Sequence, residues 1–123
     1  MINENIKNKI DHFVTSLKNY DSYIEYEKWL AANSNDEELN KMRAEFGKLR
    51  KHFMENQNNG NVTQEEIKRL RELQTQINSH PTVRNLIDSQ NQLIMILQHC
   101  NQRISEEIGL DFAQNSAPSS CCG

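Results

Sequence analysis

Two adjacent thiols are the residues best placed to do chemistry: Cys121 and Cys122, in the segment Ser119-Ser120-Cys121-Cys122-Gly123. Buried cysteine behaves as a small hydrophobe, but this stretch has no apolar run to bury these two. They read as exposed groups: metal or cluster ligands, a redox pair, or an attachment point. Lipidation is disfavoured, because Cys-Cys-Gly does not match the C-a-a-X pattern. A [4Fe–4S] cluster is commonly held by four thiolates, whereas one chain offers only Cys100, Cys121 and Cys122. A cluster here must draw a ligand from elsewhere, and two pooled tails supply four from Cys121 and Cys122 alone. Consecutive side chains diverge, so adjacent cysteines chelate a single metal poorly. Redox-active or incidental thiols stay open as alternatives.

The other candidates are weaker. Cys100 falls near the apolar stripe of Leu93, Leu97 and Ile104, where a buried structural thiol is the simplest reading. Its neighbour His99 points elsewhere. His12, His52 and His80 are scattered without the helical pairing of a zinc site, and His80 sits at a helix start, where a structural role suits it. No nucleophile–base motif, phosphate loop or carboxylate pair at metal-site spacing is present, so an enzyme is not expected. Lys41, Arg43, Lys48, Arg50, Lys51, Lys68, Arg69 and Arg71 mark the most basic region, offset by Glu45, Glu55, Glu65, Glu66 and Glu72. That is a solvated face, or a docking surface for an acidic partner or weak RNA contact. A net charge of -3 argues against a dedicated nucleic-acid surface, whose footprint is strongly basic, and no direct DNA binding is expected.

Helices must position these groups. Ile6, Ile10, Phe13, Val14 and Leu17 recur at helical spacing and predict a helix over about 3–18. Asn19-Tyr20-Asp21 breaks it, with Asp21 or Ser22 able to cap a second helix over about 21–33 that shows Tyr23, Tyr26 and Leu30 on one face. The polar run Asn33-Ser34-Asn35-Asp36 ends that helix and caps the next. Leu39, Met42, Phe46, Leu49 and Phe53 then form a heptad seam over about 36–57, with Gly47 marking either a close approach or a surface position. Asn56 to Asn61 form a loop. Thr63 and Glu66 make a capping box, Val62 and Ile67 a staple, and the fourth helix runs to about 78. His80-Pro81 opens the last helix, about 81–108 and roughly 42 Å long. Gly109 caps it, with Leu110 folding back on the last turn. Residues 113–123 lack apolar periodicity and should be flexible.

The fold class is therefore all-α: about five antiparallel helices in an elongated bundle over residues 1–112, followed by a tail over 113–123. Hydrophobic residues make up 36% and mean hydropathy is -0.83, which favours thin helical packing over a thick core. The last helix carries more apolar surface than its predecessor can cover. Leu93, Ile94, Leu97 and Ile104 mark either an oligomer interface or the surface beneath the first two helices. No export signal or membrane-length apolar run is seen, so a cytoplasmic protein without membrane partners is expected. In that setting three cysteines do not suggest a disulfide framework.

The segment Tyr23-Ile24-Glu25-Tyr26, the Leu39…Phe46-Gly47-Lys48-Leu49 helix, the loop with Gly60 and the Leu73…Ile77-Asn78-Ser79-His80-Pro81-Thr82-Val83 junction occur in a telling order. With Leu93…Leu97…Ile104…Ile108 following, the chain resembles the YlbF/YmcA family of small helical regulators over about residues 5–112. The Cys-containing tail is similar to the YlbF branch, although His80 stands where the family usually has Asn or a similar residue. The resemblance implies a non-catalytic all-α protein that assembles with itself, most simply as a dimer, or with homologous helical subunits. It further implies influence on mRNA processing by an RNase Y-type endoribonuclease, and through it on competence, sporulation and biofilm formation. Cys-bearing members bind iron–sulfur clusters. This tail is shorter than theirs, so what the resemblance extends to Cys121 and Cys122 is a [4Fe–4S] cluster shared between chains. A metal- or redox-responsive sensor and a cofactor-free helical homodimer are the alternatives.

Overall fold

The computed structural model of the chain describes residues 2–118. Six helices follow one another, α1 (Glu4–Lys18), α2 (Asp21–Asn35), α3 (Glu37–Asn56), α4 (Gln64–Ser79), α5 (Pro81–Ile108) and α6 (Phe112–Ser116). The five long helices match the periodicities of the sequence, and their ends carry the chemistry that the sequence suggested. Thr63 and Glu66 form a reciprocal capping box. The His80 side chain caps α5 ahead of Pro81, and Gly109 closes it in the left-handed region at φ 75°.

Three expectations are corrected. α2 runs through Asn33-Ser34-Asn35 and stops only at Asp36, because Asn33 is buried within the packing and Ser34 returns its hydroxyl to the Leu30 carbonyl. The N-cap of α2 is Tyr20, without a side-chain cap, and Asp21 sits in the first turn, where its charge suits the helix N-terminus. Of the two readings of Gly47, the surface position holds, since a Cβ there would meet nothing within 4 Å. Residues 112–116 are helical, and Leu110 is exposed rather than folded back.

Cross-strand contacts between the helices define the topology. Glu45 meets Arg69 and His52 meets Glu66, so α3 and α4 run antiparallel. Asp36 meets His80 and Thr82. Glu25 and Trp29 of α2 share a shallow hollow with Asn85, Asp88, Ser89 and Gln92 of α5, and Phe13 of α1 shares one with Leu97, Cys100 and Ile104. The register is thus nearly constant. The chain runs out along α1, α2 and α3, turns at 57–63, and returns along α4 and α5. Side-by-side packing among the described residues is confined to α2 on α5 and α3 on α4; all other helix contacts join sequence neighbours.

A rod two helices thick leaves each helix one neighbour, so little can be enclosed. Among the described residues only Leu39, Leu73 and Val83 are buried hydrophobics, with Asn33 and Ser89 as buried polar residues. Asn33, Leu39 and Val83 lie within one turn of the breaks at Asp36 and His80, which is where the core sits. Asp36 ties this level together. Its Oδ1 accepts the Leu39 N–H at 3.0 Å as the α3 cap, and its Oδ2 accepts the Thr82 hydroxyl at 3.3 Å. His80 Nδ1 accepts the Thr82 N–H at 3.2 Å, and its Nε2 faces Asp36 Oδ2 at 3.6 Å.

The Leu39 N–H bond holds the Asp36 carboxyl below its ordinary value of 3.8; partial burial opposes it, while His80 and Thr82 add to it. The Arg69 fork likewise holds Glu45 below 4.5. A carboxylate with a depressed folded pKa contributes stability that is present above its ordinary value and lost as pH falls through the folded one. The urea midpoint of the wild type will therefore fall as pH drops below about 4. In Asp36→Asn/Glu45→Gln, which keeps a capping side chain at 36, that fall will be shallower. An identical pH slope in both proteins would refute the assignment.

Ser89 satisfies its hydroxyl on the Leu86 carbonyl at 2.9 Å, but the Asn33 Nδ2 has no partner. A buried unsatisfied amide costs about 1–3 kcal/mol. Asn33→Leu, similar in shape and a better helix former, will raise stability by about 1–2 kcal/mol in urea unfolding. A destabilised variant would show that the amide has a partner in solution.

Candidate functional site

The most distinctive surface is apolar. On α1 the stripe read from the sequence forms as a helix face but is left uncovered: Ile6 is 50% exposed, Phe13 45%, and Ile10 and Val14 similar. The helix has no buried residue, and its only backbone approach to another helix is to α2 across the Asn19-Tyr20 break. Helices of 12–15 residues are marginal in water by themselves, so α1 depends on whatever meets that face.

The same end of the molecule carries the uncovered part of α5. α2 covers the N-terminal half of α5. Beyond it, Ile94, Leu97 and Ile108 are exposed and Met95 is 67% exposed. The four residues singled out on this helix therefore divide: Leu93 and Ile104 are half-buried along the chain's own packing, while Ile94 and Leu97 face out. The first two helices cover this stripe only in part.

α6 completes the face. After Gly109 the chain turns back along α5, where the Phe112 N–H donates to Ser105 Oγ at 2.9 Å and the Ala113 N–H to Asn101 Oδ1 at 2.8 Å. Asp111 caps α6 by accepting the Gln114 N–H. Phe13, Leu97, Cys100, Ile104, Phe112 and Ser116 thereby border an apolar hollow of about 280 Å³. Cys100 is half-buried in its wall rather than fully buried. Phe112 was not singled out by sequence. The α1 periodicity was visible, but its exposure was not, and the signal for α6 was Asp111, two residues after the Gly109 cap.

Cys121 and Cys122 lie outside the described residues. Among the described residues no group of three or more His, Cys, Asp or Glu could hold a metal ion. Cys100 borders the hollow of Phe13, Leu97, Ile104 and Phe112 described above.

The opposite end is polar and internally paired. Arg69 Nε and Nη2 each donate to the Glu45 carboxylate at 2.8 Å, a bidentate fork that raises the Arg69 pKa further. His52 Nε2 stands 2.7 Å from Glu66, tying the capping box of α4 to α3, and its Nδ1 lies 3.2 Å from the Asn56 amide. His52 thus has a cross-helix partner that its isolated position in the sequence hid. An open hollow of about 440 Å³ along the outer side of α4 mixes Lys68 and Arg71 with Glu72, without converging polar groups of one sign. No helix of the described residues is long and apolar enough to cross a membrane.

No curated protein and no solved structure matches the chain. A family model described as "Control of competence regulator ComK, YlbF/YmcA" matches residues 6–109. That span takes in every helix from α1 to α5, including the capped junctions at Asp36, Thr63 and His80. The chain belongs to the YlbF/YmcA family of regulators.

Proposed function

We propose that this protein is a non-catalytic regulatory adaptor that assembles with itself or with homologous helical subunits. In this reading it modulates mRNA processing by an RNase Y-type endoribonuclease, with competence, sporulation and biofilm formation downstream. One observation carries the reading: the chain presents a broad apolar face spanning α1, the far half of α5 and α6, a surface whose use is contact with another macromolecule. The family's description as a regulator of competence control supports it. A ligand pocket normally combines an enclosed apolar cavity with a few convergent polar groups. The hollows here are open and shallow, which fits recognition of a protein surface better than of a small molecule.

An adaptor of this kind acts by placing partners beside each other, so its loss changes where RNA is cut and leaves the intrinsic chemistry of the nuclease alone. Affinity-tagged full-length protein expressed from its native locus will recover a homologous helical subunit or an RNA-processing protein. Transcript 5′ ends mapped in the deletion strain will shift at a subset of sites. Recovery of neither partner class, together with unchanged transcript ends, would end this reading.

A further inference from the structure

We infer that the junction of Asp36, His80 and Thr82 is a proton-sensitive joint. When the His80 ring takes up a second proton, it gives up its cap on α5 for an ion pair with Asp36, and the first turn of α5 comes free of the junction.

The start of α5 hangs on one ring nitrogen. Pro81 has no N–H, so Thr82 carries the first backbone donor of the helix, and His80 Nδ1 accepts it at 3.2 Å. The Thr82 hydroxyl is bound as well, to Asp36 Oδ2 at 3.3 Å. Both donors of Thr82 thus end on the junction. An imidazole nitrogen that accepts a hydrogen bond holds no proton, and one that holds a proton can only donate. Because Nδ1 is the accepting nitrogen, it is the one that takes up the second proton. It then meets the Thr82 N–H donor to donor, so the cap and the cationic ring exclude each other.

The cation has a second seat beside it. His80 Nε2 stands 3.6 Å from Asp36 Oδ2, too far for a hydrogen bond but a small ring movement away from one. Charge drives the movement: an imidazolium at the N-terminus of α5 is repelled by the helix dipole, while Asp36 offers a full negative charge. The two side chains are only 15% and 23% exposed, so solvent ions screen their attraction weakly. When Nε2 closes on Oδ2, it takes the oxygen that the Thr82 hydroxyl uses, and Thr82 loses both ties together. The Leu39 N–H stays on Oδ1, so the change falls on α5 and spares the cap of α3. The other charged groups at this level are Glu38, which shares a hollow with His80, Met42 and Gln76, and Arg84 on α5 itself, which borders a separate hollow with Asn78 and Asp88. Asn33 of α2 and Gln76 and Ser79 of α4 do not titrate. His52 lacks the conflict: the Asn56 amide at its Nδ1 also donates to the His52 carbonyl at 2.8 Å, so protonation there costs no cap.

Nuclear magnetic resonance on the full-length, ¹⁵N-labelled chain tests this between about pH 8 and about pH 5.5, where histidine changes charge and carboxylates stay ionised. At the upper limit the ring ¹⁵N shifts will identify Nδ1 as the nitrogen without a proton. As the pH falls, the Thr82 amide proton will move upfield with the same midpoint as the His80 ring. Its protection against hydrogen exchange, corrected for the intrinsic rate, will drop about tenfold, the scale of a lost helix cap. His80→Asn keeps a neutral acceptor at the cap, and its Thr82 amide will stay protected throughout. His52→Gln will respond as the wild type does. If far-UV circular dichroism shows that His80→Asn does not fold, the wild type decides by itself, through whether the Thr82 amide follows the ring. A Thr82 amide that stays unmoved while His80 titrates overturns the inference. So does a neutral ring with its proton on Nδ1, or a folded His80→Asn that loses protection as the wild type does.

Discussion

Every feature of this structure follows from its thickness. An antiparallel hairpin of helices offers each helix one long neighbour, so one stripe per helix can be covered and the remaining apolar surface stays in water. In a bundle of four or more helices the stripes converge on a common centre. Among the described residues they meet only in pairs, α3 with α4 and α2 with α5, and three hydrophobic side chains are buried as a result. Burial contributes on the order of 25 cal/mol per Å² of apolar surface, so a rod this thin holds its helices together weakly. Short-range devices supplement the packing: side-chain caps at Asn3, Asp36, Thr63, His80 and Asp111, and cross-helix bonds at Glu45–Arg69 and His52–Glu66.

The breaks at Asp36 and His80 show how such a rod keeps its register. Both rails of the hairpin are interrupted at the same level, and one carboxylate serves both interruptions. Asp36 caps the helix that leaves on its own rail and accepts from Thr82 on the other, beside the His80 ring that caps α5. A slip of one rail against the other would separate Asp36 from Thr82 and carry Leu39 and Val83 away from the level of the breaks. Polar geometry, rather than the volume of a core, fixes the alignment here. Asn33 sits one turn away with an unpartnered amide, a cost that a thicker core would also resist but that fits a polar junction.

Much of this was legible in the residues. The five long helices, the Thr63–Glu66 box, the His80-Pro81 start and the Gly109 stop are local signals: each needs only a few neighbouring side chains, so sequence spacing suffices. Three features were not legible, and each depends on distance in space. α6 forms because Asn101 and Ser105, on the turns of α5 above it, accept its first N–H groups, a pairing that no local pattern announces. The continuation of α2 through Asn33 depends on burial against another helix, where a run of Asn and Ser otherwise reads as a stop. Which stripe covers which could not be read either, because α1 and α2 show the same period and only α2 lies along α5. The cysteines of the tail fall outside the described residues, so the chemistry first suggested by them stays where the sequence left it, and the structure moves attention to the apolar face.

The two ends of the rod differ in the chemistry of their surfaces. At the α1–α5–α6 end, apolar side chains stand in water with few polar groups among them; covering them removes a hydration cost that salt barely screens. At the α3–α4 end, Glu45–Arg69 and His52–Glu66 pair across the helices, and attraction between the surrounding charges and any other charged group weakens with ionic strength. The core at the Asp36–His80 level lies between them, roughly 24–30 Å along α3 or α4 from the loop at the charged tip. The two ends therefore differ in kind, one leaving apolar surface in water and the other leaving charge that is paired only in part, with the register-setting junction between them.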